Sequence, residues 1–332
     1  MKYITKTIQL FNLCVPCGCF CKHCLLSYDG KIVGVDYYRG LNYAKGFNHW
    51  LKEFHKDINF TYYFGYSMDT KNLIDSIDDL KELNSAMSSF LQLNGIKIRN
   101  KNELKDYLLD LKNHGIKLID LTFYGIKETH DKFAGRKNDY EYLLSILDIA
   151  NEIGLDTEVS IAITKENLNE IDLLVETLES KASNLFIFIP HCYGRGIELL
   201  NSKITIDDYN HLSNTSKKYF NRNNFKTEEE WFKTKLEIKY EKILCLSLLK
   251  SNIEDLEKMN YSEIFQELEK MDNDFYSKIP TFELLLKLYH NYSNKCLYSK
   301  KDLYALYRKR YIKENKLAIE DIDERYTNSI RI

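Results

Sequence analysis

Five of the eight cysteines in this chain are crowded into residues 14–24, near its start. The crowded residues are Cys14, Cys17, Cys19, Cys21 and Cys24. The remaining three, Cys192, Cys245 and Cys296, lie far apart in the sequence. Thiolates are soft ligands that bind iron and zinc. In a reducing compartment, such a knot of cysteines predicts a metal site and not a set of disulfides.

The spacing of these cysteines allows three kinds of site. A structural zinc site would take two CxxC pairs, the first starting at Cys14 and the second at Cys21. Only three residues separate those pairs, whereas zinc knuckles come from turns a dozen or more residues apart. A ferredoxin-like cluster would need a distant fourth cysteine and a different local spacing. The third site uses Cys17, Cys21 and Cys24, and it is the one that we favour.

The pattern Cys17-x3-Cys21-x2-Cys24, with His23 before the last cysteine, resembles the CxxxCxΦC signature of the radical SAM superfamily. The position Φ is usually aromatic, so an imidazole there is a mild departure. The resemblance implies a four-iron, four-sulfur (4Fe-4S) cluster on the three cysteines, with S-adenosylmethionine (SAM) chelating the fourth iron. One electron would then cleave SAM to methionine and a 5′-deoxyadenosyl radical. The cofactor carries that chemistry, and the protein positions it and excludes water.

The resemblance also implies contacts to SAM after the second strand. Superfamily members carry a Gly-Gly-Glu-like segment there, which holds the amino group of SAM. The corresponding segment here runs from Gly65 through Tyr66 and Ser67 to Asp69. It has one glycine and lacks the acidic residue at the usual position. Ser67 and Asp69 are therefore the candidates for the amino contact.

A longer segment, residues 121–136, resembles the fourth-strand segment of the SPASM and twitch branch, which contains peptide-modifying and sulfatase-maturing enzymes. The match continues into residues 159–167. It implies that Tyr124 and Ser160 face SAM at strand ends, that Arg136 meets the SAM carboxylate, and that backbone near Pro190 meets the adenine. Alternatively, His130 and Arg136 belong to a network that shapes the start of a helix. The predicted SAM-binding residues are His23, Gly65, Tyr66, Ser67, Tyr124, Arg136, Ser160 and Pro190.

The elements that must position these residues alternate between strands and helices up to about residue 200. Candidate strands are residues 7–13, 58–64, 90–98, 118–124, 157–163 and 185–190, and candidate helices are 36–55, 102–113, 139–153 and 167–179. Units of this length predict a partial (β/α)6 TIM-like barrel, an α/β fold. Functional groups on such a barrel lie at the carboxyl ends of the strands, and the cysteines directly follow the first strand.

After residue 200 the pattern becomes mostly helical, with candidate helices at 207–220, 252–271, 281–289 and 300–315 and a possible strand at 236–249. We therefore divide the chain into a core at 1–200 and an extension at 201–332 that closes the barrel and selects the substrate. The last helix is basic, with an apolar stripe at Leu303, Tyr307 and Tyr311. This helix either binds an acidic partner or packs as a terminal helix with a solvated face, and we favour the packed helix.

Composition excludes several classes of protein. The chain has 332 residues, of which 44% are hydrophobic and 29% are charged, and its net charge is −2. These values are typical of a compact soluble protein, and the charge balance does not favour nucleic acid or an anionic membrane. No run reaches the length of a membrane span. The first residues do not resemble a signal peptide, so we expect a cytoplasmic protein.

The sequence thus predicts a radical SAM enzyme with one cluster, because the cysteine clusters of the SPASM and twitch branch are missing near the carboxyl terminus. Its substrate is expected to be a peptide or an amino-acid-derived small molecule, by analogy only. An electron donor such as flavodoxin or ferredoxin is also implied. Two alternatives stay open. One is a non-catalytic iron-sulfur or metal-binding interaction module, and the other is a nucleic-acid-modifying radical SAM enzyme.

Overall fold

The computed structural model describes residues 4–69, 73–83, 89–235 and 241–319. Parallel strands alternate with helices in the first two thirds of the chain, and helices dominate the rest. The strands are β1 (Ile4–Asn12), β2 (Asn59–Phe64), β3 (Phe90–Gln92), β4 (Leu118–Phe123), β5 (Asp156–Ala162), β6 (Asn184–Phe188) and β7 (Glu241–Ser247). The helices are α1 (Tyr37–Phe54), α2 (Leu73–Leu83), α3 (Lys101–Asn113), α4 (Lys127–Ala134), α5 (Asp139–Ile153), α6 (Ile171–Glu179), α7 (Ile206–His211), α8 (Asn214–Lys218), α9 (Glu228–Lys233), α10 (Ile253–Leu256), α11 (Tyr261–Lys278), α12 (Phe282–Tyr289) and α13 (Lys300–Glu314).

The strands form two parallel sheets. One has the order β2-β1-β7, and the other has the order β3-β4-β5-β6. Within the described residues, no strand of one sheet pairs with a strand of the other. The predicted α/β class and partial barrel are therefore confirmed, and the barrel is divided into two halves.

The extension also contributes to the barrel. Strand β7 pairs in parallel with β1, so that Leu10 lies opposite Leu246. Leu244, Cys245 and Leu246 are consecutive and all buried, which is expected of a strand covered on both faces of a parallel sheet. The possible strand at 236–249 is present from residue 241, and its first five residues lie outside the described residues. The division at residue 200 stays a prediction, but the sheet itself continues past it.

The predicted elements occur where expected, with differences that have local causes. The predicted third strand at 90–98 has only three residues, because Gly95 turns the backbone at a φ of +77°. The predicted helix 207–220 is broken where Ser213 begins a new helix by accepting the Ser216 N–H. A capping box of Asn260 and Glu263 likewise divides the predicted helix 252–271. Helices α2, α4 and α9 were not predicted.

The carboxyl-terminal helix packs as we favoured. Leu303 and Tyr307 on α13 belong to a buried cluster that includes Leu285 of α12 and Trp231 of α9. Arg308 is also buried, at 2% exposure, so the basic residues of α13 do not form a single solvated face. None of the helices in the described segments has the length and apolar character that crossing a membrane would require.

Candidate functional site

The cysteine loop (residues 14–24) follows β1 and is held on two sides by backbone hydrogen bonds. Gly18 donates its N–H to the Gly95 carbonyl at 2.8 Å, in the loop after β3. Phe20 donates to the carbonyl of Ala134 at 2.8 Å, at the end of α4. The loop is therefore fixed by elements that follow the third and fourth strands, although it is far from both in sequence.

The predicted segment after β2 lies against the same loop. Gly65 donates its N–H to the Asn12 carbonyl at 2.7 Å, and Tyr66 donates to the Val15 carbonyl at 2.7 Å. The Ser67 hydroxyl donates to the Pro16 carbonyl at 2.7 Å. Asp69, the other candidate for the amino contact, instead forms an ion pair with Arg99 at 2.6 Å. The structure thus brings residues 65–67 beside the cysteines, whereas the Asp69 carboxylate is occupied by Arg99.

The cysteines of the loop differ in exposure. Cys17, Cys21 and Cys24 are partly exposed, whereas Cys19 is 2% exposed and packs with Tyr124 and Phe133. A hydrogen bond from the Cys19 side chain lowers the pKa of Cys17 to about 7, against the opposing effect of burial. The same contact raises the pKa of Cys19. Cys17 is therefore the thiol of this pair that ionises first, and Cys19 packs as an apolar residue.

Gly95 is a site residue that the sequence interpretation missed. Its φ of +77° disfavours any side chain, and a Cβ there would overlap the Cys17 sulfur. Glycine therefore lets the loop after β3 approach a predicted cluster ligand. The Asn94-Gly95 dipeptide after an apolar run is a turn signal that would have found the turn, although not its contact with Cys17.

Behind the loop, three side chains form a network whose polar atoms pair with one another. The Tyr124 N–H donates to His130 Nδ1 at 3.2 Å, so His130 Nε2 carries the proton that it shares with Asp139 at 3.2 Å. The three guanidinium nitrogens of Arg136 donate to Asp139 and to the Ile96 carbonyl. Cys19 Sγ lies 3.6 Å from Asp139 Oδ2. We call His130, Arg136 and Asp139 the paired network.

On the other side of the loop, polar atoms lack partners. His23 Nε2 lies 3.2 Å from the Tyr124 hydroxyl, but its Nδ1 is buried without a hydrogen-bond partner among the described residues. The Nε and Nη2 atoms of Arg195 are also buried and have no partner there. Arg195 donates its backbone N–H to the Cys24 carbonyl at 3.1 Å. Burial is the main cause that lowers the pKa of His23, and the charge of Arg195 lowers it further. We call His23 and Arg195 the unpaired corner.

The loop after β6 reaches the cysteines through glycine. A side chain at Gly194 would overlap the Cys24 carbonyl oxygen, and its φ of +52° also favours glycine. Pro190 lies at the same edge, where its carbonyl accepts from Lys203 at 3.2 Å. Ser160, in contrast, lies within β5 and not at its end, and its hydroxyl donates to Asp120 at 3.3 Å. Of the predicted SAM contacts, Ser160 is thus the one placed deeper in the barrel.

The residues fit the cofactors that the sequence implies. Three partly exposed thiols share one short loop, and buried N–H donors without partners are expected where an anionic group binds. Within the described residues, no three histidine, cysteine or acidic side chains are grouped to hold a single metal ion. Each thiolate of a cubane binds a different iron, so those ligands do not converge on one point.

No protein-family model matches the chain. It is 27% identical over 136 residues to the Fe-coproporphyrin III synthase of Methanosarcina barkeri, which covers 39% of this chain and 33% of that protein. The chain thus spans about a third of the curated relative's length.

Solved structures with a similar chain course include coproporphyrinogen III oxidase from Escherichia coli, described as a radical SAM enzyme. It has a TM-score of 0.41 and 16% identity, over 62% of this chain and 49% of that one. Streptococcus suis SuiB bound to S-adenosylmethionine has a TM-score of 0.39 and 13% identity, over 56% of this chain and 40% of that one. The protein anSMEcpe with bound AdoMet has a TM-score of 0.38 and 16% identity, over 56% of this chain and 52% of that one.

Proposed function

We propose that this chain is a radical SAM enzyme that binds one 4Fe-4S cluster on Cys17, Cys21 and Cys24. The observation that carries the proposal is the position of these thiols. They lie on a single loop at the carboxyl edge of a parallel barrel, where (β/α) enzymes place their active sites, and they are partly exposed. When bound, the cluster would supply the electron that cleaves SAM to methionine and a 5′-deoxyadenosyl radical.

The protein's own residues would hold SAM in place and exclude water. The backbone N–H groups of Gly65 and Tyr66 donate to Asn12 and Val15, which holds this segment beside the cysteine loop. Their carbonyls would accept from the SAM amino group. Tyr124 packs in one cluster with Cys19, and its hydroxyl lies 3.2 Å from His23 Nε2. Pro190 and the following backbone lie at the edge where adenine would pack.

Arg195, and not Arg136, is the arginine that we assign to the SAM carboxylate. Arg136 donates from each of its guanidinium nitrogens to protein acceptors, so a ligand would have to break existing bonds. Two nitrogens of Arg195 have no such acceptor. A charge-assisted bond from a buried guanidinium to a carboxylate is among the stronger polar contacts in proteins. In the described part of the chain, no carboxylate pairs with these two nitrogens of Arg195.

The substrate is a peptide or an amino-acid-derived molecule, and an electron donor such as flavodoxin or ferredoxin delivers the electron. The positions of the other three cysteines do not favour a second cluster. Cys192 is buried beside Asp302, Cys245 lies on β7 and Cys296 lies in the extension. Chemistry without a second redox centre favours rearrangement, hydrogen return or radical coupling over a two-electron oxidation of the substrate.

Anaerobic reconstitution with iron and sulfide, followed by SAM and dithionite, tests the proposal. The wild-type chain should release 5′-deoxyadenosine, and Cys21→Ala should release none. Cys296→Ala is the matched control, because it removes a thiol that is far from the loop in sequence. A reconstituted wild-type chain that binds iron but releases no 5′-deoxyadenosine would instead support the binding-module alternative.

A further inference from the structure

A cavity of about 940 Å³ is lined from both sheets of the barrel and lies beside the cysteine loop. The strands β1, β2, β3 and β7 all contribute to its lining, and so does Leu26, which closely follows Cys24. A volume of this size is typical of sites for small ligands. A molecule in the cavity would therefore lie next to the proposed site of SAM cleavage.

The lining of this cavity carries one charge, and that charge is positive. Among the described residues that line it, Lys301 is the one charged side chain, and none is acidic. The remaining polar side chains of the lining are amides and hydroxyls, which are neutral at pH 7. A cleft lined by charge of one sign attracts ligands of the opposite sign. The cavity is therefore suited to a negatively charged group.

Lys301 belongs to the extension, but its backbone is fixed against the barrel. It is the second residue of α13, and its carbonyl accepts from the Tyr193 hydroxyl at 3.1 Å. The next residue, Asp302, is fully buried, pairs with His191 and Lys203, and does not line the cavity. These contacts attach the start of α13 to the loop after β6. The Lys301 side chain thus reaches the cavity from a fixed position.

Gln9 of β1 adds a hydrogen-bond donor to the same lining. The Cys245 thiol donates to Gln9 Oε1 at 3.7 Å, which orients the amide. Among the described residues, Gln9 Nε2 donates to no acceptor. An amide nitrogen that lacks a protein acceptor can donate to an oxygen of a ligand. A carboxylate accepts hydrogen bonds at both of its oxygens, so it can use the ammonium and the amide together.

We propose that this cavity binds a carboxylate of the substrate, with Lys301 as its charged partner and Gln9 as a neutral donor. The proposal rests on the proposed function for its reaction, and it narrows the peptide or amino-acid class to acidic members. The carboxylate belongs either to an acidic side chain or to a free main-chain end. Either source would place its charge against Lys301 and its carbon chain beside the cysteine loop.

Three probes of nearly equal size separate the charge from its source. Nα-acetyl-glutamine methylamide is neutral, Nα-acetyl-glutamate methylamide carries a side-chain carboxylate, and Nα-acetyl-glutamine carries a main-chain carboxylate. They are titrated by calorimetry into reconstituted protein with SAM under anaerobic conditions. We expect at least one carboxylate probe to bind about tenfold tighter than the neutral probe, because a hydrogen bond to a charged group typically contributes that much. The probe that gains affinity identifies the source.

Two variants and a control assign the effect to Lys301. Lys301→Met keeps an apolar side chain without the charge, so it should cancel the preference for the carboxylate and leave the neutral probe within about twofold. Lys301→Arg should retain most of the preference. Lys300→Met removes the same charge from the preceding residue of α13, which does not line the cavity, and it should change neither affinity. Melting temperatures of all three variants show whether they fold.

SAM also carries a carboxylate, so its affinity is measured in the same variants. Lys301→Met should leave the dissociation constant of SAM unchanged, because we assign the SAM carboxylate to Arg195. A loss of SAM affinity as large as the loss for the carboxylate probe would assign Lys301 to SAM and overturn the proposal.

Three further outcomes would also overturn it. They are equal binding of the three probes, absence of binding by both carboxylate probes, and a carboxylate preference that survives in Lys301→Met. None of these results depends on SAM cleavage. A chain that prefers a carboxylate probe but releases no 5′-deoxyadenosine would refute the proposed function alone.

Discussion

The paired network and the unpaired corner flank the same cysteine loop, but they differ in how their polar atoms are satisfied. In the network, His130, Arg136 and Asp139 pair with one another, and His130 and Asp139 are fully buried. In the corner, His23 and Arg195 have buried nitrogens without partners. Since a buried unpaired donor costs free energy, the corner is the side of the loop where a ligand would add stability. The network holds the loop in shape.

The largest effect should come from the loop that both regions share. Replacing Cys17, Cys21 or Cys24 individually with Ala should abolish cluster assembly, because each thiolate is the ligand of one iron. Iron and sulfide analysis with Mössbauer spectroscopy should give about four irons per wild-type chain. Cys19→Ala should retain them, since Cys19 is buried against Tyr124 and Phe133. Full cluster retention in Cys21→Ala would refute the ligand assignment, and a value near ~8 would reveal a second cluster.

Breaking the paired network should cost stability. Asp139→Asn leaves Arg136 and His130 buried without their anion, which typically costs about 3–5 kcal/mol. Although burial raises the pKa of Asp139, His130 and Arg136 lower it overall, so the carboxylate is ionised at neutral pH. Urea unfolding of the cluster-free chain measures the loss. Arg195→Gln is the comparison, and an equal loss there would remove the distinction between the two regions.

Changing the unpaired corner should instead weaken SAM binding. Arg195→Gln should raise the dissociation constant of SAM by about tenfold to a hundredfold, the usual contribution of a charge-assisted bond. Arg195→Lys should restore part of the affinity. Decarboxylated SAM separates this contact from others, because it should bind the wild-type and Arg195→Gln chains with similar affinity. An unchanged SAM affinity in Arg195→Gln would return the carboxylate contact to Arg136.

The sequence predicts the cysteine loop and the paired network better than it predicts the unpaired corner. Cys17, Cys21 and Cys24 are close in sequence, so their spacing alone specifies a shared loop. The helix-start interpretation of His130 and Arg136 also follows from short separations. Arg195 and Gly95 contact the cysteines only because the carboxyl ends of β6 and β3 meet β1 at one edge. Sequence spacing carries no information on such distant contacts, nor on whether a buried nitrogen has a partner.

The same difference between local and distant contacts explains which parts of the fold the sequence predicts. Alternating apolar runs predict most strands of the barrel, because each strand is a local pattern. The pairing of β7 with β1 could not be predicted, since it joins segments that are far apart in the sequence. The resemblance of residues 121–136 and 159–167 implies a strand end for Ser160, but such a match gives the order of residues and not their depth in the barrel. The structure places Ser160 within β5, where its hydroxyl donates to Asp120.

Asp302, a third buried group, joins the extension to the carboxyl edge of the barrel. We expect it to make the free energy of unfolding depend on pH. Asp302 of α13 is fully buried. Burial raises its pKa, but the hydrogen bond from His191 and the charge of Lys203 outweigh burial and lower it to about 2. Because the folded pKa lies below the unfolded value, the stabilisation is present above pH ~4 and is lost as pH falls toward ~2.

The expected size is about 2 kcal/mol, because each tenfold change in an acid dissociation constant corresponds to about 1.4 kcal/mol. Urea unfolding at a series of pH values measures it, with Asp302→Asn as the comparison. The stability difference between wild type and Asp302→Asn should narrow as pH falls below ~4. A difference that stays constant over that range would show that the ionised carboxylate does not stabilise the extension.

The smallest effect should come from the contact that joins the two regions, the Tyr124 hydroxyl. Tyr124 lies between them, with its backbone N–H donating to His130 and its hydroxyl 3.2 Å from His23. Tyr124→Phe removes only the second contact and should cost about 1 kcal/mol, the net value of an ordinary hydrogen bond. Iron content should not change, because no thiol is altered.

Unfolding measurements on the cluster-free chain and SAM titrations on the reconstituted chain separate two outcomes. A loss of stability alone makes the hydroxyl a support for His23. A loss of SAM affinity comparable with that of Arg195→Gln would place Tyr124 in the binding surface of the unpaired corner.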